Sequence, residues 1–212
     1  MTLRLNGSSS GYVELDVPAA AGSHTLTLPD GGGSSGQYLQ TNGSGGLSWQ
    51  TVSTSNLTRG TAVASTSGSV IDFTSLPSGI RRIQVILDAV SSDNFYHLLI
   101  QLGTSSGFTT SGYDAQSAIA YSSSSFGINS SAGFIIFNSA SNAVHSGIFT
   151  FDNVTGNAWV GSYSGGNNQS PTDIGICGGG RVALGAELTQ VRITFSTAAN
   201  FDAGQINLFY EV

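Results

Sequence analysis

The first 55 residues are short apolar phrases cut apart by glycine, and that pattern leaves very little from which to build a core. GYVELDVP (11–18), SHTLTLP (23–29), GQYLQT (36–41) and GLSWQT (46–51) each read as one short strand. Between them lie AAAG, DGGGSSG and NGSGG, which are turn and linker chemistry because glycine reaches positive φ without steric cost. Gly11, Gly22, Gly36 and Gly46 open the phrases at a loose period of roughly a dozen residues, shorter than the common solenoid units. Each phrase offers two or three apolar side chains: Val13, Leu15 and Val17; Leu26 and Leu28; Tyr38 and Leu39; Leu47 and Trp49. Ordering the backbone costs roughly 1–2 kcal/mol per residue, and so small an apolar area does not offset it. Such a segment is disordered, docked on a partner, or wound with copies of itself, as in a fibre shaft.

Composition narrows the class. Only 8% of the residues are charged, about a third of the usual share, there is no lysine, and serine outnumbers the 29 glycines. Disordered chains pair low hydrophobicity with high charge; here 39% of the residues are hydrophobic, enough for a core. A net charge of −6 carried by six scattered arginines argues against nucleic acid and anionic membranes as partners. Cys177 is the single cysteine, so no intrachain disulfide framework exists. The opening MTLRLNGSSS lacks the basic flank and apolar core of a signal peptide, and no apolar run approaches the ~20 residues that span a bilayer. The expectation is synthesis in a cytoplasm followed by work elsewhere as part of an assembly.

A composition shift near Ser53–Gly60 predicts a division into an extended segment, 1–55, and a domain, 56–212. Downstream the phrases lengthen and alternate with period two, as half-buried strands do. Arg82–Val90 places Ile83, Val85, Leu87 and Ala89 on one face. Phe95–Leu102 reads as a central strand, and Leu188–Ser196 points Val191, Ile193 and Phe195 inward. Val70–Phe73, Phe134–Phe137, Ile148–Phe151, Trp159–Tyr163 and Ile206–Val212 complete the set. No segment has helical periodicity. The predicted class is all-β: an extended N-terminal fibrous β segment followed by a jelly-roll-like β-sandwich.

Catalytic motifs fail on context. GGGSSG (31–36) matches a dinucleotide fingerprint, and GSSSG (7–11) a nucleophile elbow, but neither is followed by a helix. His24, His97 and His145 form no metal-ligand spacing, and the acids are scattered with no calcium loop. The expectation is no catalytic residue, no metal and no cofactor. One stretch suggests binding: Gly161–Gly180, read as a long polar loop with Tyr163, Asn167, Asn168, Gln169 and Asp173 beside Trp159. An aromatic platform flanked by amides suits a sugar ring; Trp159 would support the loop from below. A surface turn with Trp159 in the core is the competing reading. The serine-rich stretch Tyr121–Ser131 reads as an exposed, adaptable loop.

Three phrases carry a resemblance: LPSGIRRIQVILDAVS (76–91), IQLGTSSGFTTSGY (100–113) and FDAGQINLFYEV (201–212). They resemble a domain recurrent in structural proteins of tailed bacteriophages. LPDGGGSSGQYLQTNGSGGLSWQTV (28–52) looks like a segment of phage tail fibres, notably those of phages infecting cyanobacteria. The resemblance implies a homotrimeric virion appendage whose C-terminal part contacts the host; the expected partners are the chain itself, other virion proteins through residues 1–55, and a host-surface glycan. It supplies no catalytic residues. The rival expectations are a capsid decoration or cement protein, a carbohydrate-binding module, and an enzyme such as a depolymerase.

Overall fold

Short phrases with few apolar side chains make isolated hairpins, and that is what the N-terminal residues form. The computed structural model describes residues 3–16, 18–20, 22–52, 57–120, 125–138, 140–141, 143–169 and 172–212. The chain divides into two units, Met1–Thr54 and Ser55–Val212; the predicted boundary at 55/56 itself lies outside the described residues.

In the first unit, β1 (Leu3–Asn6) pairs antiparallel with β2 (Tyr12–Leu15), setting Leu3 opposite Leu15 and Asn6 opposite Tyr12. Arg4 Nε donates to Glu14 Oε1 at 2.8 Å, and its guanidinium lies 3.7 Å from the centroid of the Tyr12 ring. A second hairpin joins β3 (Gln37–Thr41) to β4 (Leu47–Thr51). In its turn Asn42 Oδ1 accepts from the amides of Ser44 (2.8 Å) and Gly46 (3.0 Å). SHTLTLP contributes one parallel bridge, Thr27 to Gly46, rather than a strand. The GGGSSG run is a platform for an indole: a Cβ on Gly33 would meet the Trp49 ring at 2.6 Å, and Trp49 Nε1 donates to Gly31 O at 2.6 Å. None of the described residues of this unit is buried. Leu3, Leu5, Val13, Leu15, Leu26 and Leu28 are 54–69% exposed.

The second unit is all-β, with no helix among its described residues. Its strands are β5 (Leu57–Arg59), β6 (Val63–Ala64), β7 (Ile71–Phe73), β8 (Arg82–Ser92), β9 (Leu98–Thr104), β10 (Gly107–Phe108) and β11 (Asp114–Ala120). There follow β12 (Ser125–Ser130), β13 (Phe134–Ile136), β14 (Val144–Thr155), β15 (Ala158–Gln169), β16 (Thr172–Ala183), β17 (Gln190–Phe195) and β18 (Phe201–Glu211). A nine-stranded sheet runs β12-β11-β16-β15-β14-β8-β18-β5, with β6 also on β18; a five-stranded sheet runs β10-β9-β17-β7, with β13 also on β9. All these pairings are antiparallel. Both sheets give side chains to one buried cluster, which makes the unit a β-sandwich.

Alternation decides which side chains enter that cluster. On β17, Val191, Ile193 and Phe195 are buried, as expected, and all seven residues of β9 are buried between flanking strands. On β8, Ile83, Val85 and Leu87 are buried, but Ala89 is exposed and Val90 takes the next inner position. The cause is a bulge. Pairing with both β14 and β18 slips register here, Ala89 has φ 52°, and Gly204 opposite has φ 91° with no room for a Cβ against Ala89 O. Every residue of the cluster lies between Ile71 and Leu208. A fragment comprising residues 57–212 is therefore expected to keep its β circular dichroism and a single cooperative thermal transition. A fragment that melts without cooperativity would show that the core is incomplete without residues 1–56.

Candidate functional site

Strands β14, β15 and β16 are twelve residues each, and their two faces have separate chemistry. Gly161–Gly180, expected as a polar loop, is the greater part of the β15–β16 hairpin; only 170–171 at its tip fall outside the described residues. Glycine, serine and asparagine suggested a loop, but in a closely packed sheet the same small residues make room for rings. The inner face of β15 reads Trp159, Gly161, Tyr163, Gly165, Asn167. A Cβ on Gly161 would lie 2.6 Å from the Phe149 ring and 2.7 Å from that of Phe151, and one on Gly165 would collide with the Tyr163 hydroxyl.

Trp159, Tyr163 and Asn167, all predicted to serve receptor binding, are consequently buried at 2% exposure. Tyr163 lies 5.9 Å from Phe149, ring centroid to ring centroid, and burial raises its phenol pKa above the ordinary value. A stacking role on a ligand is closed to it. Asn168 alone of the four is exposed, on the outer face, where with Val144, Ser146 and Gly175 it lines a shallow hollow of about 560 Å³. Of the serine-rich loop, 121–124 lie outside the described residues, while Ser125–Ser130 is β12, an edge strand.

At one end of the sandwich the inner face turns polar. His145 stands opposite Asn167 on β15 and Val90 on β8. Its Nε2 donates to Asn138 Oδ1 at 3.3 Å, the Asn138 amide donates to His97 Nδ1 at 3.0 Å, and Asn138 Nδ2 donates to Tyr96 O at 3.2 Å. Burial, followed by the nearby His97, holds the His145 pKa down to about 4; burial lowers that of His97 as well. Both imidazoles are neutral at pH 7.

A second hollow on the outer face is larger than the one beside Asn168. A cross-strand row runs Asn129, Gln116, Gly179, Ser162, Thr150, Gln84, and the adjacent row runs Gly127, Ala118, Cys177, Ser164, Ile148. Over β12, β11, β16 and β15 these rows form a groove of about 850 Å³. Its floor is Ala118 and Cys177–Gly180, and its polar edges are Gln116, Asn129, Asp114 and Arg181, with Val160 beside them. Charge is confined to one end, where Asp114 stands opposite Arg181. The side chains of Asp114, Gln116, Asn129 and Arg181 make no hydrogen bond or ion pair with the described residues. Several comparable groups elsewhere are engaged: Arg82 with Asp152, Arg192 with Asp72, Arg4 with Glu14, Gln205 with Asp88 and Asn200 with Asp93.

Sequence reasoning missed this groove, although its signal was present in DAQSAIA, where Asp114, Gln116 and Ala118 alternate with buried Ala115, Ser117 and Ile119. The arrangement can donate to and accept from hydroxyl groups. Among the described residues no group of three or more His, Cys, Asp or Glu side chains could hold a metal ion. No protein-family model matches the chain, and no curated protein matches it.

Proposed function

We propose that this chain is a bacteriophage virion structural protein, a tail fibre or receptor-binding tip that mediates attachment to the host. Residues 1–55 trimerise and dock on other virion proteins, and the sandwich, jelly-roll-like, faces the cell. The observation that carries this reading is the exposure of Leu3, Leu5, Val13 and Leu15 on the first hairpin, and of Leu26 and Leu28 on the segment beyond it, in a unit with no buried residue among those described. At ~25 cal/mol per Å², such side chains are a strong drive to association, and a closed rotational assembly of identical chains covers them without leaving an open end. The resemblance of residues 28–52 to a segment of phage tail fibres, and of 76–91, 100–113 and 201–212 to a domain of phage structural proteins, supports the same reading.

Three outcomes test it. The full chain is expected to elute in light scattering with three times the monomer mass, and replacing Leu26 and Leu28 by serine is expected to shift it toward monomer. Labelled antibody on intact particles is expected at the tail, in few copies. A stable monomer with residues 1–55 protected from protease rules out the trimer. Label spread over the head at capsomer copy number favours the cement reading, in which the same exposed leucines clamp neighbouring capsid subunits.

A further inference from the structure

We infer that the groove over β11, β12 and β16 binds a neutral, hydroxyl-rich saccharide chain, held by Gln116, Asn129, Asp114 and Arg181. The inference rests on the host-attachment reading for the source of the saccharide, but its chemistry comes from the groove.

A hydroxyl group both donates and accepts, and the lining supplies both partners side by side. The Asp114 carboxylate accepts, Arg181 donates, and the amides of Gln116 and Asn129 do each. All four side chains are exposed and unspent within the described residues. Asp114 and Arg181 are direct cross-strand neighbours at one end of the groove, so a vicinal diol lying across them meets an acceptor and a donor together. The pair is neutral overall, and the chain's net charge of −6 disfavours an anionic ligand. A protein partner is disfavoured by the lining, whose apolar members are small or branched aliphatics (Ala118, Ile128 and Val160) with no aromatic anchor. The floor has little side-chain bulk, because Gly178, Gly179 and Gly180 follow Cys177 there. A sugar ring therefore approaches the sheet backbone closely.

With no ring to stack upon, affinity comes from hydrogen bonds exchanged with water, each with a modest net contribution. A dissociation constant on the order of 1 mM per site is expected, raised to useful avidity by several copies on one appendage.

Cys177 gives the measurement, because its exposed thiol lies in the groove floor. Iodoacetamide alkylation of the full chain is followed with and without maltotetraose, mannotetraose, galactotetraose or laminaritetraose, with tetragalacturonate as the charged control. At about 10 mM one or more neutral fragments are expected to slow alkylation roughly tenfold, as a site with that affinity requires. The double substitution Gln116→Ala and Asn129→Ala is expected to abolish protection without moving the melting temperature, since both side chains are exposed. Free alkylation unaffected by every neutral fragment overturns the inference, as does stronger protection by tetragalacturonate. A thiol that reacts only after urea unfolding also overturns it, by showing the groove covered by another copy of the chain. None of these results depends on where the protein sits on the particle, so antibody labelling of virions tests the attachment reading separately.

Discussion

Replacing Phe134 by alanine is expected to destabilise the C-terminal unit by about 3–5 kcal/mol, as for a large aromatic removed from a core that cannot collapse. Phe134 is fully buried, and its ring meets Tyr113 at 5.2 Å, Phe149 at 5.4 Å and Phe151 at 4.8 Å, all edge-on. The last two are themselves stacked at 4.4 Å and 8°. Phe134 thus joins the three-residue β13, on the smaller sheet, to the inner face of β14 on the larger. Relaxation into the cavity is limited on both sides. Tyr113 is pinned through its hydroxyl, which accepts from the Leu102 amide at 2.8 Å and donates to Thr109 O at 3.0 Å. Phe149 and Phe151 lie on a strand paired along both edges. Since domains are stable by only about 5–15 kcal/mol, the variant should show a large drop in denaturant midpoint with an unchanged slope. A loss below about 1 kcal/mol would mean that the sheets are not joined through this ring.

Much of this fold is legible in the residues. The strands with a clean two-residue period, β17 and the first half of β8, fall where alternation places them, because burial on one face of a sheet leaves no other arrangement. The second half of β8 was not legible. Its bulge depends on Gly204, more than a hundred residues away, and a local pattern does not encode a long-range partner. β15 and β16 were misjudged for a related reason. Gly161, Gly165 and Gly178–Gly180 have loop composition, but at Gly161 and Gly165 they answer to rings packed from the same sheet face. The site suffered twice. Tyr163 and Asn167 face inward once the segment is a strand, and the groove on the other face is assembled from four strands whose side chains look unremarkable one at a time. The first unit was read well in its deficit of apolar area. β1 escaped notice because its partner, β2, makes a strand of LRLN that two leucines alone do not announce.

Acidification is expected to weaken the C-terminal unit by about 3 kcal/mol between pH 7 and pH 4, largely through His145. Its folded pKa, about 4, lies below the ordinary 6.5, so across that window the unfolded chain binds the extra proton and the folded one does not. Stability therefore falls with pH from about 6.5 and levels off below about 4, where both states are protonated. The physical cause is desolvation first, since the ring is buried on the inner face between Val90 and Asn167, and the neighbouring His97 second. No carboxylate contributes to lowering or raising either histidine. His97 acts in the same direction: its Nδ1 accepts the Asn138 amide at 3.0 Å, and a proton there replaces an acceptor by a donor facing a donor. Asp93 is held below its ordinary value by the Asn200 amide and side chain, so its protonation belongs to a later step. Chemical unfolding at pH 7.0, 5.5, 4.5 and 3.0 separates the two windows. A His145→Gln variant, which retains a donor toward Asn138 and has no proton to gain, is expected to lose most of the slope above pH 4.5 while that below persists. If wild-type stability is flat from pH 7 to 4.5, His145 is not the buried neutral imidazole that its hydrogen bond to Asn138 describes.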